Sequence, residues 1–300
     1  MTPTGMTAAG YQIDAVEAGR FALDGGAMFG IVPRALWSRY VAPDEANRIP
    51  MTARCLVLRG HGRTVLVDTG MGDKHDAKFA SIYDAGPFTL LGELDALGVR
   101  PEDVTDVFLT HLHFDHVGGA VRRAPEAGAP EAGAPEASGA AAPLALTFPN
   151  AAHHVQRRHW EWAHESPREG ASFLAENLEP LAESGRLNLL EPGAPSPFPG
   201  TEVITADGHT RGQQLLLIGE GEGAVLFAAD LLPTAAHVPA LWIMAYDIAP
   251  LDTLAEKTPL LARAARERWT VVFEHDTQTA AGRIEETAKG FRVTEARAAL

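Results

Sequence analysis

With 300 residues, 46% of them hydrophobic and 21% charged, the chain has the composition of a folded globular protein, which excludes fibrous and wholly disordered architectures. A formal charge of −14 repels polyanions, so a nucleic-acid binder is disfavoured, and no apolar run approaches the roughly 20 residues that span a bilayer. The lone cysteine, Cys55, permits no intrachain disulfide, and Met1–Gly10 has neither the basic start nor the apolar centre of a secretory signal, so a cytoplasmic location is expected.

In chain order, Tyr11–Gly30 alternates weakly and ends in Asp24-Gly25-Gly26, a strand and turn. Met28, Phe29, Ile31, Val32, Leu36 and Trp37 then sit among glycine and proline with no regular period; they read as a loop packed on the core, with a pocket wall or subunit contact as the alternatives. Thr52–Leu58 and Arg63–Val67, joined by Arg59-Gly60-His61-Gly62, predict a hairpin that runs into Asp68-Thr69-Gly70. Cys55 falls inside its first strand as a packed thiol. Asp68 either caps that turn or braces a histidine from behind. Phe88–Leu97 has helical spacing with Gly98 as its stop, and Val104–Leu109 reads as a buried strand.

That strand delivers Thr110-His111-Leu112-His113-Phe114-Asp115-His116-Val117-Gly118-Gly119. Three imidazoles and one carboxylate within six residues form a ligand set that a borderline cation such as zinc accepts. The paired glycines after it let the chain turn sharply away from a packed site.

From 124 to 142 the composition changes to repeated Ala-Pro-Glu-Ala-Gly, which builds no packed face and reads as a mobile insertion in one loop of a single domain spanning 1–300. Leu146–Phe148 and Ala152–Val155 follow as short strands, and Arg157–His164 and Ser172–Leu178 as helices. His153, His154, His159 and His164, with Arg157, Arg158 and Glu161 nearby, are expected on an exposed amphipathic surface. Strands resume at Glu202–Thr205, Gln214–Ile218 and Ala224–Ala228. Two helical pieces, Leu251–Lys257 and Pro259–Arg268, precede a strand at Thr270–Phe273.

Isolated ligand-type residues stand where three of these later strands stop: His209 in Asp207-Gly208-His209-Thr210, Asp230 after Val225–Ala229, and His275 after Val271-Val272-Phe273-Glu274. Loops at the carboxyl ends of strands are where open α/β sheets collect their sites.

The ordered set His111, His113, Asp115, His116, His209, Asp230, His275 resembles the metallo-β-lactamase superfamily over nearly the whole chain. The resemblance implies an α/β fold, a four-layer αββα sandwich, and two divalent ions. His111, His113 and His209 would hold one, Asp115, His116 and His275 the other, with Asp230 bridging and Asp68 behind. Zinc is the expected metal, with Mn2+, Co2+ and Fe2+ as alternatives. Asp230, where some members carry cysteine or serine, favours a fully dinuclear hydrolase; His113, in place of the glutamate of the flavodiiron branch, argues against redox chemistry.

Two divalent cations outweigh Asp115, Asp230 and a bridging hydroxide, and the surplus would stabilise the oxyanion formed when hydroxide attacks a carbonyl or phosphoryl centre. No serine or cysteine nucleophile is needed, and no Gly-x-Ser-x-Gly elbow is present. Asp115 and Asp230 are the candidate catalytic groups. The early apolar segment and Pro233–Val238 are similar to the quorum-quenching N-acyl-homoserine lactonases and related organophosphate hydrolases. That similarity implies an apolar acyl pocket lined by Met28, Phe29 and Trp37, with His237 facing it, a lactone or ester substrate, and a homodimer into whose partner the N-terminal segment crosses. The alternatives are a phosphotriester or phosphodiester hydrolase, a thioesterase or β-lactamase, and a non-catalytic metal-binding interaction module.

Overall fold

The structure, a computed structural model, describes residues 5–124 and 142–300. The chain opens with β1 (Met6–Ala8), β2 (Tyr11–Asp24), the short helices α1 (Gly25–Phe29) and α2 (Arg34–Trp37), and the hairpin β3 (Arg48–Gly60) and β4 (Arg63–Val67). Helices α3 (Ala77–Tyr83) and α4 (Leu90–Ala96) lead to β5 (Asp106–Phe108), α5 (Phe114–Val117) and the ribbon β6 (Val121–Arg123) and β7 (Leu144–Leu146). Then come β8 (Ala152–Gln156), α6 (Arg157–Glu165), α7 (Ala175–Glu183) and β9 (Leu187–Leu190). The last third holds β10 (Thr201–Ala206), β11 (Gln213–Ile218), β12 (Val225–Phe227), α8 (Pro250–Glu267), β13 (Thr270–Val272), β14 (Ala281–Thr287) and β15 (Gly290–Arg297).

Strands β1-β2-β3-β4-β5-β8-β9 form one sheet in that order, and β10 to β15 form a second. The period-two alternation of a strand decides which layer each side chain enters. Leu56, Leu58, Val65 and Val67 meet Leu215, Phe227 and Val271 in a core between the sheets. Their chain neighbours Cys55, Val57 and Leu66 turn the other way, onto Leu90 and Leu94 of α4 and Leu178 and Leu181 of α7. Helix α8 lays Leu260, Leu261 and Ala264 against the second sheet. Helices on a double sheet give the expected four-layer αββα sandwich, in which each fully buried Leu or Val contributes about 1.5–3 kcal/mol.

The central strands β4, β5, β8 and β9 run parallel, as do β12 and β13. Their carboxyl ends therefore fall on common rims, and the loops after β4, β5, β10, β12 and β13 carry Asp68, His111–His116, His209, Asp230 and His275.

Three readings need correction here. His153, His154 and His159 are buried rather than exposed; only His164 of that group faces solvent. The reason for His154 is a polar row across four strands: Arg63 Nη1 donates to the Asp106 carboxylate at 2.9 Å, His154 Nε2 donates to it at 2.9 Å, and Asn188 Nδ2 donates to His154 Nδ1 at 2.8 Å. Helix α8 is one piece, running through Pro259, because tertiary packing of its apolar face offsets the missing N–H. The strand read at Leu146–Phe148 lies at Leu144–Leu146. The closing hairpin β14–β15 went unread, since its alternation is dominated by exposed charge.

The repeat expected as a mobile insertion lies, apart from its end residues, outside the described residues. Its ends meet on one rung: Ala124 N donates to Pro143 O at 2.7 Å, continuing the β6–β7 ladder. Replacing 125–141 by Asn-Gly should therefore shift Tm by less than about 2 °C, because long loops cost little closure entropy; calorimetry checks this.

Burial would raise the Asp106 carboxyl, but hydrogen bonds from His154, Thr105 and Arg63 hold it down to about 2. A folded-state value below the unfolded one means that the stability it contributes is present above the ordinary carboxylate range and is lost as pH falls toward 2. Asp106→Asn should cost about 1–3 kcal/mol at pH 7, with the difference from wild type shrinking below pH 4 in urea denaturation.

Candidate metal centre

The loop after β5 is held in shape before any ligand is considered. Asp68, at the end of β4, has φ +56, a left-handed conformation that aspartate tolerates. From there its Oδ1 accepts from Thr110 N at 2.7 Å and its Oδ2 from Thr110 Oγ1 at 2.6 Å. Gly118 and Gly119 serve close packing rather than a left-handed turn: Gly118 has αR geometry, and a Cβ on either would collide with the carbonyls of Met71 and Thr69. Buried Lys74 donates to the carbonyls of Gly118 and Val121, fixing the exit.

Seven side chains expected at the site come together at the rim. Ligand atoms of His111, His113, His209 and Asp230 lie within 4.8 Å of one another, and so do those of Asp115, His116 and His275. The hydrogen bonds on the far side of each imidazole fix which nitrogen faces inward. His209 Nδ1 donates to Asp247 at 2.9 Å, His113 Nε2 to Glu169 at 3.0 Å, and His275 Nδ1 to the Thr52 carbonyl at 2.8 Å. His116 Nδ1 donates to Asp68 at 3.0 Å and lies 3.2 Å from Glu274. His111 Nδ1 is 3.0 Å from Thr110 Oγ1, whose own hydrogen goes to Asp68.

With its outward nitrogen donating, a neutral imidazole presents a bare lone pair on the other. Those lone pairs face one another: His113 Nδ1 is 3.1 Å from His111 Nε2 and 3.2 Å from His209 Nε2, and His275 Nε2 is 3.2 Å from His116 Nε2. Such contacts repel unless a proton or a metal ion sits between them. Ligands at 2.0–2.1 Å around a tetrahedral zinc would stand about 3.3 Å apart, so the donor set and its spacing fit a divalent ion.

Asp230 lies between the two groups. Its Oδ2 is 3.2 Å from His209 Nε2 and 3.6 Å from His116 Nε2, and its Oδ1 is 3.0 Å from His275 Nε2. Oδ1 is buried with no hydrogen-bond donor among the described residues. The preceding Ala229 has φ +43, a strained geometry for alanine that aims Asp230 off the end of β12. Asp115 Oδ2 lies 3.8 Å from both His116 Nε2 and His275 Nε2.

Electrostatics agree. Burial lowers His209 and His275, but Asp230 with Asp247 pushes the first up to about 10, and Asp230 with Glu274 pushes the second up to about 9. His111 and His113 are pushed down, by burial first and then by neighbouring imidazoles. The carboxylates thus draw positive charge into a pocket where the imidazoles resist sharing protons, a field suited to metal ions.

Beside the cluster is a cavity of ≈ 150 Å³ whose lining includes Leu23, Met28, Tyr83, Asp115, Met244 and Tyr246. Of the four residues expected at a substrate pocket, Met28 lines it. Phe29 lines a neighbouring cavity of ≈ 470 Å³ with Tyr40, Met51 and His275; it stacks on His237 at 4.7 Å and on Trp37 at 5.3 Å, and these two stand behind. His237 Nε2 donates to the Met28 carbonyl at 2.8 Å. Burial pushes His237 down to about 3, so it is a neutral strut.

Sequence reasoning missed Glu169, Asp247 and Glu274. Burial pushes the Glu274 carboxyl up to about 8, and its place directly before His275 was a usable signal. Glu169 and Asp247 lie in irregular loops with no spacing to betray them.

The profile of the metallo-beta-lactamase superfamily matches residues 48–275. An N-acyl homoserine lactonase of Bacillus sp is 27% identical over 202 residues, 63% of this chain and 67% of that protein. A probable metal-dependent hydrolase from Staphylococcus aureus superposes with a TM-score of 0.82 at 24% identity, covering 97% of this chain and 99% of that one. AidC, described as a dizinc quorum-quenching lactonase in complex with a product, superposes with a TM-score of 0.75 at 18% identity, over 97% and 96% of the two chains.

Loss of an outward brace should weaken metal binding about 10–100-fold. Asp247→Ala is expected to do so with the fold retained, while Asp230→Ala should leave at most one ion per chain; elemental analysis and chelator competition measure both.

Proposed function

The chain belongs to the metallo-beta-lactamase superfamily, and from that premise we propose that it is a dinuclear metal-dependent hydrolase that opens a lactone or cleaves an ester, with an N-acyl-homoserine lactone as the substrate class. The observation that carries this is the convergence of the inner nitrogens of five imidazoles on either side of Asp230, a donor set whose spacing fits two divalent ions. His111, His113 and His209 would hold one ion and Asp115, His116 and His275 the other, with Asp230 shared. Zinc is the proposed metal, since imidazole and carboxylate ligands suit it and AidC is described as dizinc. Bound divalent ions at such a site supply Lewis-acid polarisation of a carbonyl and a water ionised near neutral pH.

The chain's own groups do the rest. Leu23, Met28, Phe114 and Met244 line the cavity and would seat an apolar acyl group while excluding bulk water. Tyr83 and Tyr246, which line the same cavity, would offer hydroxyls to the polar part of the substrate. Burial pushes Tyr246 up to about 12, so it stays a donor. Asp115 would take the proton that the attacking water or hydroxide gives up and pass it to the departing alkoxide. The likeness to the Bacillus lactonase supports the lactone assignment.

A homodimer is part of the proposal. Ile31, Leu36 and Tyr40 are 95%, 44% and 59% exposed and Leu241 is 69% exposed, and the ring of Tyr40 packs 5.0 Å from that of Trp242. Exposed apolar surface of this kind marks an association face.

The metal charge suits phosphotriesters as well, which is the second reading. A panel of acyl-homoserine lactones of several chain lengths, an aryl ester, a phosphotriester and a penicillin, each with and without chelator, separates them. Turnover that rises with acyl length and disappears with chelator is expected. Metal-replete protein that hydrolyses only the phosphotriester would move the assignment, and inactivity on everything would favour a binding module.

A further inference from the structure

His159 is a sixth buried imidazole beside the cluster, yet it points at none of the proposed ions. Its Nε2 accepts from the backbone N–H of Leu112 at 2.8 Å, and its Nδ1–H donates to the carbonyl of Arg211 at 2.7 Å. Leu112 lies between His111 and His113, and Arg211 is two residues past His209. The ring therefore bridges the two loops that carry the three histidines of one half-site. Asp115 and His116 follow on the first of these loops, but the ring bonds neither of them, His116 being held instead by Asp68 at 3.0 Å, and it makes no bond to the loop of His275.

The chemistry of the bridge is restrictive. One partner offers an N–H and the other a C=O, so the group between them must accept on one side and donate on the other. A neutral imidazole does both in one plane, whereas lysine and arginine have no acceptor and a carboxylate has no donor. Helix α6 places the ring directly: the backbone of His159 closes on Gly212, whose φ of +74 and lack of a Cβ permit the approach. The same helix braces His113, because Trp162 Nε1 donates to Glu169 at 2.6 Å.

We propose that His159 is a positioning residue that fixes the gap between the His111–His113 loop and the His209 loop, and so sets the affinity of the ion held by His111, His113 and His209 without affecting its neighbour. The inference rests on the two-metal reading above.

Its test has a metal-free and a metal-bound arm. In the apo protein, nitrogen NMR should show His159 protonated on Nδ1 and bare on Nε2, with Leu112 N–H protected from exchange. His159→Phe should abolish that protection, and His159→Gln, which keeps a donor and an acceptor, should restore part of it. Zinc titration with competing chelator should show one ion bound as in wild type and the other weakened at least about tenfold, while His164→Ala binds both normally. Equal weakening of both ions, or two unchanged affinities with Leu112 freely exchanging, would overturn the assignment. So would the opposite tautomer in wild-type protein, a measurement that stands even if the variants fail to fold. Wild-type protein that binds no metal, with the tautomer and the Leu112 protection as described, would instead sink the two-metal reading.

Discussion

The rest of the structure depends on how the outer nitrogens of five histidines are spent. Each is committed to a carboxylate, a hydroxyl or a carbonyl, and each commitment forces the inner nitrogen to be a lone pair aimed at the same small volume. Asp230 and Asp115 add negative charge to that concentration of lone pairs, so the pocket attracts cations. A fold that gathers such groups and buries them favours cations at that point, and the close packing of the two sheets holds the donors in place.

The sandwich makes this possible through parallel strands. Where β4 and β12 end, the chain leaves the sheet, and the positive-φ backbone at Asp68 and Ala229 marks the turning points. Strain of roughly 1–3 kcal/mol per such residue is tolerable because both flanking strands are buried, with Val67, Phe108 and Phe227 all in the core between the sheets. Packing thus supplies the force that bends the rim into a ligand-presenting shape.

Much of this was legible in the residues. The His-x-His-x-Asp-His run and three isolated ligand-type residues at strand ends define the centre because metal chemistry restricts both residue type and position. Two-faced strands such as Thr52–Leu58 and Arg63–Val67 were equally plain, since alternation is a local signal. What failed was long-range. His154 and His159 looked solvated because their neighbours in sequence are charged, but their partners, Asp106 and Asn188 for one and Leu112 and Arg211 for the other, come from distant strands and loops. For a related reason the sequence does not separate Met28 and Phe29, which line cavities, from Trp37 and His237 behind them: an aromatic beside a cavity and an aromatic behind that wall have the same sequence signature. The hairpin β14–β15 hid its two-faced pattern under exposed charge.

The rim is shared between the layers: His111 to His116 come from the first sheet, whereas His209, Asp230 and His275 come from the second. Cations seated there would be cross-ties between two halves that also meet through apolar contact and through hydrogen bonds such as Gln214 Nε2 to the Leu109 carbonyl at 2.7 Å. Binding that favours the assembled state adds about 4 kcal/mol when free ion stands a thousandfold above its dissociation constant. The lifetime of the chain against proteases would then track the supply of free metal around it, so that starvation for the ion removes the protein as well as its activity.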